Sequence, residues 1–239
     1  MAKVHAEKAI EDPYEAFKHA RDVIKGRWHQ AELCILTKKS WACYYARDVI
    51  KGRWPEVESL IINDPRWAVN YAIDVIKGRW PEAEPYIMGD PELAYDYAKR
   101  VIIRGRWPEA EPFIMKDPVH ARYYAEHNIR GRWPEAEPYI MKDPGSAFGY
   151  AMHVIRGRWP EAEPFIMKDP ESANSYAQYV IFGRWPEAEP FIMKDYEQAR
   201  TYAENVIKGR WPEAEDIIMG HEWTMMGGRY KKKNNMWIR

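Results

Sequence analysis

One tripeptide, Gly-Arg-Trp, recurs along this chain at nearly constant intervals. It occurs eight times, with its Trp at positions 28, 54, 80, 107, 133, 159, 185 and 211, so the interval is 26 residues throughout except for one of 27. A period of roughly 20 to 50 residues is typical of stacked arrays, in which each unit buries its apolar face against its neighbours. The sequence therefore predicts a repeat protein with eight tandem copies over residues 12–220.

Each copy has the pattern of two short helices. In copy 3 the first helix begins at Asp64-Pro65, where Asp is a favourable N-cap and Pro suits the first turn. Apolar residues follow at helical spacing, and Gly78 then stands where a left-handed residue commonly ends a helix. The second helix begins at Trp80-Pro81. Because five copies place another Pro four positions later, we expect this helix to be short and tight or kinked in its first turn.

Helix pairs this short bury both faces only by stacking, and no segment shows the period-2 alternation of strands. We therefore predict an all-α, right-handed α-solenoid of eight 26-residue helix-pair repeats. The single interval of 27 adds a residue to the helix around Ile103, where we expect a bulge or a change of superhelical angle. Residues 1–11 are expected to form an N-terminal half-repeat cap, and residues 221–239 a basic and aromatic tail or cap.

The tryptophans of the tripeptide are predicted to be structural, because a Trp at every helix junction is more often a packing wedge than a ligand. The seven residues in this prediction are Trp54, Trp80, Trp107, Trp133, Trp159, Trp185 and Trp211. The Arg that precedes each Trp has two interpretations. It pairs with a Glu of the Pro-Glu-Ala-Glu segment in its own or the next copy, or it belongs to a row of guanidinium groups that tracks phosphates. Two Glu per copy oppose the second interpretation, since they would repel a phosphate backbone.

Comparison of the copies with one another separates an unvarying part from a varied one. The tripeptide and the Pro-Glu-Ala-Glu segment scarcely change, whereas the first helix varies between its apolar positions. These varied positions face away from the apolar stripe and include aromatic residues, which are costly to expose without use. We predict that they form a partner-binding face; the alternative is unconstrained drift of exposed positions. The candidate residues are Trp67, Asn70, Tyr95, Asp96, Arg100, Arg122, Tyr123, His127, Phe148, His153, Asn174 and Tyr179.

Several classes of function are not expected. The 36 basic residues balance 36 acidic ones, which argues against a polyanion-binding protein. There is no Gly-rich phosphate loop or nucleophile motif, and the carboxylates recur identically in every copy, so we expect no enzyme, small-molecule substrate or cofactor. His127 and His153 lie in adjacent copies, roughly 10 Å apart by helix-packing distances, which is too far to share a metal ion. We expect no metal site.

The chain is expected to be cytoplasmic and not to associate with a membrane. Its two cysteines, Cys34 and Cys43, are too few for a disulfide framework. The first residues lack the apolar region of a secretory signal, and no run of 18 apolar residues occurs.

In architecture the paired short helices resemble the tetratricopeptide and Sel1-like α-solenoids, and this resemblance implies a protein-interaction scaffold. The 26-residue period is shorter than theirs, and Gly-Arg-Trp-Pro-Glu-Ala-Glu is not their consensus. The repeat also looks like one in uncharacterised phage and environmental proteins, which implies no function and no binding residues. We therefore predict a non-enzymatic scaffold that binds a protein partner along the varied face, or binds itself, for example end to end into filaments. The alternative is a modular binder of single-stranded RNA or DNA, similar in logic to pentatricopeptide arrays.

Overall fold

A computed structural model describes residues 11–103 and 105–219 of the chain. It divides into two compact units, 1–114 and 115–239, which contain four copies each. The described residues form helices and turns without any β-strand, and within each unit successive helix pairs pack against one another. The predicted all-α array of eight helix-pair repeats is thus confirmed, and its right-handed superhelix stays a prediction. The predicted cap at 1–11, apart from Glu11, and the predicted tail at 221–239 lie outside the described residues.

Each first helix consists of a seven-residue α-helix that continues directly into a five-residue π-helical turn. In the first unit the α-helical parts are Pro13–His19, Lys39–Tyr45, Pro65–Tyr71 and Pro91–Tyr97, and the π-helical parts are Ala20–Ile24, Ala46–Ile50, Ala72–Ile76 and Ala98–Ile102. In the second unit they are Pro118–Tyr124, Pro144–Tyr150, Pro170–Tyr176 and Tyr196–Tyr202, followed by Ala125–Ile129, Ala151–Ile155, Ala177–Ile181 and Ala203–Ile207. The predicted Asp N-cap is present at Asp90, for example, whose carboxylate accepts hydrogen bonds from the N–H groups of Glu92 and Leu93. At Asp64 of copy 3 the predicted capping bond is wrong, because this carboxylate accepts a hydrogen bond from Lys39 of copy 2 instead.

The left-handed residue at the end of the first helix is not the predicted glycine but the residue before it. In seven copies this residue has φ between 57° and 59°: Lys25, Lys51, Lys77, Arg130, Arg156, Phe182 and Lys208. In copy 3 the N–H groups of Lys77 and Gly78 both donate to the carbonyl of Ala72, at the start of the π-helical turn. Because of this shared acceptor, the helix ends one residue earlier than it would with a glycine cap. The residue at its end is therefore not a glycine, although its left-handed backbone conformation is one that glycine adopts more easily.

The extra residue of copy 4 lies after the helix and not inside it. The π-helical turn Ala98–Ile102 has the same five residues as in every other copy, so the expected bulge within this helix is wrong. The backbone departs at Ile103, with φ 40° and ψ 105°, in the connection that leads to Gly105. A connection accepts an insertion more easily than a helix, because no stripe of buried residues is displaced.

The second helices are short, as predicted, and the second Pro explains why. In copies 1 and 2, which lack it, the helices are His29–Ile35 and Pro55–Ile61. In the five copies that have it, a turn precedes a four-residue helix, namely Glu84–Ile87, Glu111–Ile114, Glu137–Ile140, Glu163–Ile166 and Glu189–Ile192. The Pro occupies the second position of these helices, where its missing N–H costs no hydrogen bond. In copy 8 a 3-10 turn at Pro212–Ala214 precedes helical residues 215–219.

The core repeats with the sequence. In copy 6, Ala147, Tyr150 and Ala151 of the first helix are fully buried, and Trp159 at the turn is 2% exposed. The Tyr150 and Trp159 ring centroids lie 5.0 Å apart at a tilted angle. The small alanines let neighbouring helices approach closely, while the two aromatic rings fill the space beside them. All seven tryptophans that the sequence assigned to packing are between 1% and 2% exposed.

Candidate functional site: the first-helix face

The arginines of the Gly-Arg-Trp tripeptides are held by carboxylates of their own copies. In every copy the Arg forms two parallel hydrogen bonds with the Glu five residues later, with donor–acceptor distances from 2.5 to 2.9 Å. In copy 5 these residues are Arg132 and Glu137, whose side chains are 54% and 11% exposed. The predicted pairing of this Arg row with the Pro-Glu-Ala-Glu segment is therefore confirmed.

In copies 1 to 3 and 5 to 7 a tyrosine of the following copy completes the ion pair. The Tyr150 hydroxyl donates to Glu137 Oε1 at 3.0 Å and accepts a hydrogen bond from the Trp133 backbone N–H at 2.6 Å. We call the three side chains, Arg132, Glu137 and Tyr150 in this instance, an Arg–Glu–Tyr cluster. Equivalent tyrosine bonds join neighbouring copies at Tyr45, Tyr71, Tyr97, Tyr176 and Tyr202. The sequence analysis missed this bond between copies, although a Tyr that recurs at one place in an apolar stripe was a usable signal.

The pKa shifts in these clusters favour an ionised Glu and a neutral Tyr. Hydrogen bonds from Arg158 and Tyr176 hold the pKa of Glu163 below its ordinary value despite partial burial. At Glu137 burial raises the pKa, but hydrogen bonds from Arg132 and Tyr150 outweigh it and the pKa is lowered. Burial raises the pKa of the cluster tyrosines, at Tyr45 to about 12, so each remains a hydroxyl donor. Glu137 and Glu163 therefore stay ionised and hydrogen-bonded at neutral pH.

The twelve candidate partner-binding residues differ in exposure. Asn70, Arg100, His153 and Tyr179 are exposed, as predicted. Seven are only half-exposed: Trp67, Tyr95, Asp96, Arg122, Tyr123, His127 and Phe148. Asn174 is 5% exposed, so its predicted place on the solvent face is wrong. The reason is that the face turned away from one helix's own stripe is partly covered by the first helix of the next copy.

Two of these residues show how the neighbouring copy covers them. The Asn174 amide donates to Gln198 Oε1 at 2.9 Å and to Thr201 Oγ1 at 2.7 Å, both in copy 8. The Arg122 side chain is 13% exposed and lies directly against Gly149 in copy 6. Some of the residues that vary between copies therefore make contacts with the neighbouring copy.

Two open grooves remain on this face, one in each unit. The groove of the first unit has a volume of 270 Å³, and its lining includes Tyr44, Arg47, Trp67, Asn70 and Asp74. Here the Arg47 guanidinium lies 4.8 Å from the Tyr44 ring centroid and 3.7 Å from the Asp74 carboxylate. This groove therefore combines aromatic surface with charged groups of both signs.

The groove of the second unit has a volume of 420 Å³ and is acidic. It is lined by Phe148 and Ser175 together with the carboxylates of Asp143, Asp169 and Glu171. Asp143 and Asp169 also serve as helix N-caps, so their carboxylates are already hydrogen-bonded to backbone N–H groups.

Residues 11–103 and 105–219 contain no group of three or more His, Cys, Asp or Glu side chains placed to hold a metal ion. Within the same ranges no helix is long and apolar enough to cross a membrane. No protein-family model, curated protein or solved structure matches the chain. The function must therefore be argued from the groups that this face presents.

Proposed function

We propose that this protein is a non-enzymatic interaction scaffold that binds a protein partner along the first-helix face. The proposal rests on the groove of the first unit, which is lined by Trp67, Tyr44 and Arg47. Trp, Tyr and Arg are the residue types that most often dominate the binding energy of protein interfaces. Their apolar surfaces favour desolvation by a partner, while Asn70 and Asp74 offer polar groups that fix its orientation.

The resemblance to tetratricopeptide and Sel1-like arrays supports this proposal by analogy of architecture. A reducing, cytoplasmic setting is part of it, because Cys34 and Cys43 are both free thiols and burial raises the pKa of Cys43 to about 12. Self-association through the same face or the ends is the second form that the scaffold proposal takes.

Binding of single-stranded nucleic acid is the alternative, and the Arg–Glu–Tyr clusters weigh against it. Each Arg of the row already makes two hydrogen bonds to its own Glu, and in copies 1 to 3 and 5 to 7 a Glu of the next copy also raises its pKa. A phosphate would have to displace one carboxylate and approach the other. Because these arginines are already neutralised by carboxylates, the binding of a phosphate backbone would release few counterions. Nucleic-acid affinity depends largely on that release.

The test compares Trp67→Ala with Tyr86→Ala, since both remove an aromatic ring from copy 3. Trp67 lines the groove, whereas Tyr86 lies on the second helix and is 48% exposed. Partners cross-linked to the wild-type chain would be identified by mass spectrometry and their affinities measured by calorimetry. We expect Trp67→Ala to weaken binding about 10-fold or more, and Tyr86→Ala to leave it unchanged.

Two results would contradict the protein-partner proposal, and a third would decide between its two forms. Equal affinity of both variants would remove the groove from the interface. Saturable binding of single-stranded RNA at physiological salt, measured by fluorescence anisotropy, would favour the alternative. Light scattering that shows concentration-dependent growth of the wild-type particle, abolished by Trp67→Ala, would identify a second copy of the chain as the partner.

A further inference from the structure

Within each unit, one position of a first helix meets two positions of the first helix in the next copy. The first position is the fifth residue of the seven-residue α-helix, and the other two are the third and sixth residues of the next such helix. Between copies 1 and 2, the Phe17 ring centroid lies 5.7 Å from that of Trp41 and 6.4 Å from that of Tyr44. Between copies 7 and 8, Asn174 donates hydrogen bonds to Gln198 and Thr201. We call these three positions the inter-copy positions.

At some interfaces the residues at the inter-copy positions complement one another in size. Between copies 5 and 6 the long Arg122 lies against Gly149 at the sixth position, and the third position holds Ser146. A Cβ atom at Gly149 would lie 2.8 Å from Arg122 Cδ and 2.9 Å from its Nε, which is closer than carbon atoms approach in folded proteins. With any other residue at the sixth position, the Arg122 side chain would have to move from this place.

The same rule extends to the interfaces that contain the two grooves. Between copies 2 and 3 the small Cys43 shares a cavity lining with the larger Trp67 and Asn70. Between copies 6 and 7 the large Phe148 shares one with the small Ser172 and Ser175. At these interfaces a large fifth residue accompanies small third and sixth residues, or a small fifth residue accompanies larger ones. Between copies 1 and 2 all three residues are aromatic and their rings pack together, and between copies 7 and 8 they are joined by hydrogen bonds.

We propose that the inter-copy positions form a recognition system that fixes the order in which the copies pack. The buried alanines, the Tyr–Trp pairs and the Arg–Glu–Tyr clusters are nearly the same in every copy, so they stabilise correct and incorrect neighbours alike. A skipped copy, or a copy from a second chain, would retain all of those contacts. The inter-copy positions distinguish the right neighbour, since a mismatch overpacks the interface or leaves a buried amide without its partners.

This inference goes beyond the proposed function and assigns a second role to the variation between copies. Tyr44, Trp67 and Asn70, which line the groove of the first unit, also occupy inter-copy positions. Arg122 and Asn174, which the sequence suggested as partner-binding residues, recognise the adjacent copy of the same chain. Outward residues such as Tyr179 remain for an external partner.

The experiment uses three full-length chains of identical amino-acid composition. The first is the wild type. The second exchanges the two fifth-position residues, by Arg122→Asn and Asn174→Arg. The third also exchanges their partners, by Ser146→Gln, Gly149→Thr, Gln198→Ser and Thr201→Gly. The Arg122–Glu126 ion pair, at 3.2 Å, is lost from both variants, so the difference between them isolates the contacts between copies.

We expect the second chain to unfold about 3–10 °C below the wild type and the third to regain most of that loss. A control that exchanges two exposed residues of copies 6 and 7, by His153→Tyr and Tyr179→His, should melt with the wild type. Refolding at high concentration should give more swapped dimers for the second chain than for the third, as measured by light scattering. The proposal is overturned if the second chain is as stable as the wild type, or if the third chain is no more stable than the second. Failure of both variants to fold cooperatively also overturns it, because matching the partners would then restore nothing.

Discussion

The substitution Tyr150→Phe tests the Arg–Glu–Tyr cluster with the smallest change in packing. Phenylalanine retains the ring that lies 5.0 Å from Trp159, and it removes only the hydroxyl. That hydroxyl satisfies the buried N–H of Trp133 at 2.6 Å and donates to Glu137 at 3.0 Å. The substitution therefore affects hydrogen bonding and leaves the apolar core almost unchanged.

The magnitude follows from the groups left behind. A buried N–H without an acceptor costs about 1–3 kcal/mol, and a hydrogen bond to a charged group contributes about 1.5–3 kcal/mol. Glu137 keeps both hydrogen bonds from Arg132, which reduces the second contribution. We expect a loss of about 2–4 kcal/mol in the free energy of unfolding, which corresponds to roughly 5–15 °C in Tm for a chain of this size.

The assay is thermal and urea unfolding followed by circular dichroism, with Tyr139→Phe as the control. Tyr139 is a half-buried tyrosine of copy 5, and its ring is covered by the Lys142 amine at 5.2 Å. Its hydroxyl belongs to no Arg–Glu–Tyr cluster, so its removal should change Tm little. Hydrogen exchange at the Trp133 amide should accelerate only in Tyr150→Phe. Equal stability of the two variants, with unchanged protection of Trp133, would refute the view that these clusters join the copies.

Three further predictions concern acid, the helix ends and the tryptophans. The pKa values of Glu137 and Glu163 are lower in the folded chain than in the unfolded one, where they lie near 4.5. The stability that these carboxylates contribute is therefore present above that pH and is lost as the pH falls through their folded-state pKa values. Tm should drop between about pH 5 and pH 3, and a Tm that does not change with pH over this range would contradict this prediction. Phe182→Gly should stabilise the chain by about 1 kcal/mol, because glycine adopts the left-handed φ of 58° at this position without the strain of a side chain. Gly183→Ala should have little effect on urea unfolding. A destabilised Phe182→Gly chain would show that the contacts of the Phe182 side chain matter more than the backbone strain. Trp133→Ala should cost about 3–5 kcal/mol, since this Trp is 1% exposed, and a near-neutral melting temperature would show that it is no packing wedge.

The helix pairs were predictable because their signals are local. An Asp-Pro start, an apolar stripe and a Trp-Pro start lie within one copy, and the eight copies repeat the same evidence. The pairing of Arg132 with Glu137 was also within reach, since the two residues are five apart in sequence. The π-helical turns were not predicted, and they displaced the left-handed residue from Gly78 to Lys77. A 3.6-residue pattern does not distinguish a final α-helical turn from a π-helical one.

The candidate face was predicted less well than the fold. A helical wheel separates the buried stripe of one helix from its opposite side, but it contains no information on what a second helix covers. Asn174 was assigned to solvent on that basis, whereas its amide bonds to residues 24 and 27 positions later. Some of the positions that vary between copies, such as Arg122 and Asn174, contact the next copy, so part of the variation serves packing between copies.

The sequence by itself determined the period, the helix pairs and the burial of the tryptophans, because these depend on residues within one 26-residue copy. It limited the partner of each arginine to a Glu of the Pro-Glu-Ala-Glu segment, and the structure decided that this Glu lies five residues later in the same copy. Only the tertiary structure decided how the copies join. The Tyr150 hydroxyl reaches a backbone N–H 17 residues earlier, and Arg122 packs against a glycine 27 residues later. Contacts of this kind depend on how one helix packs on the next. The local sequence pattern of either helix does not contain that geometry, and the geometry decides which groups are buried and hydrogen-bonded between copies.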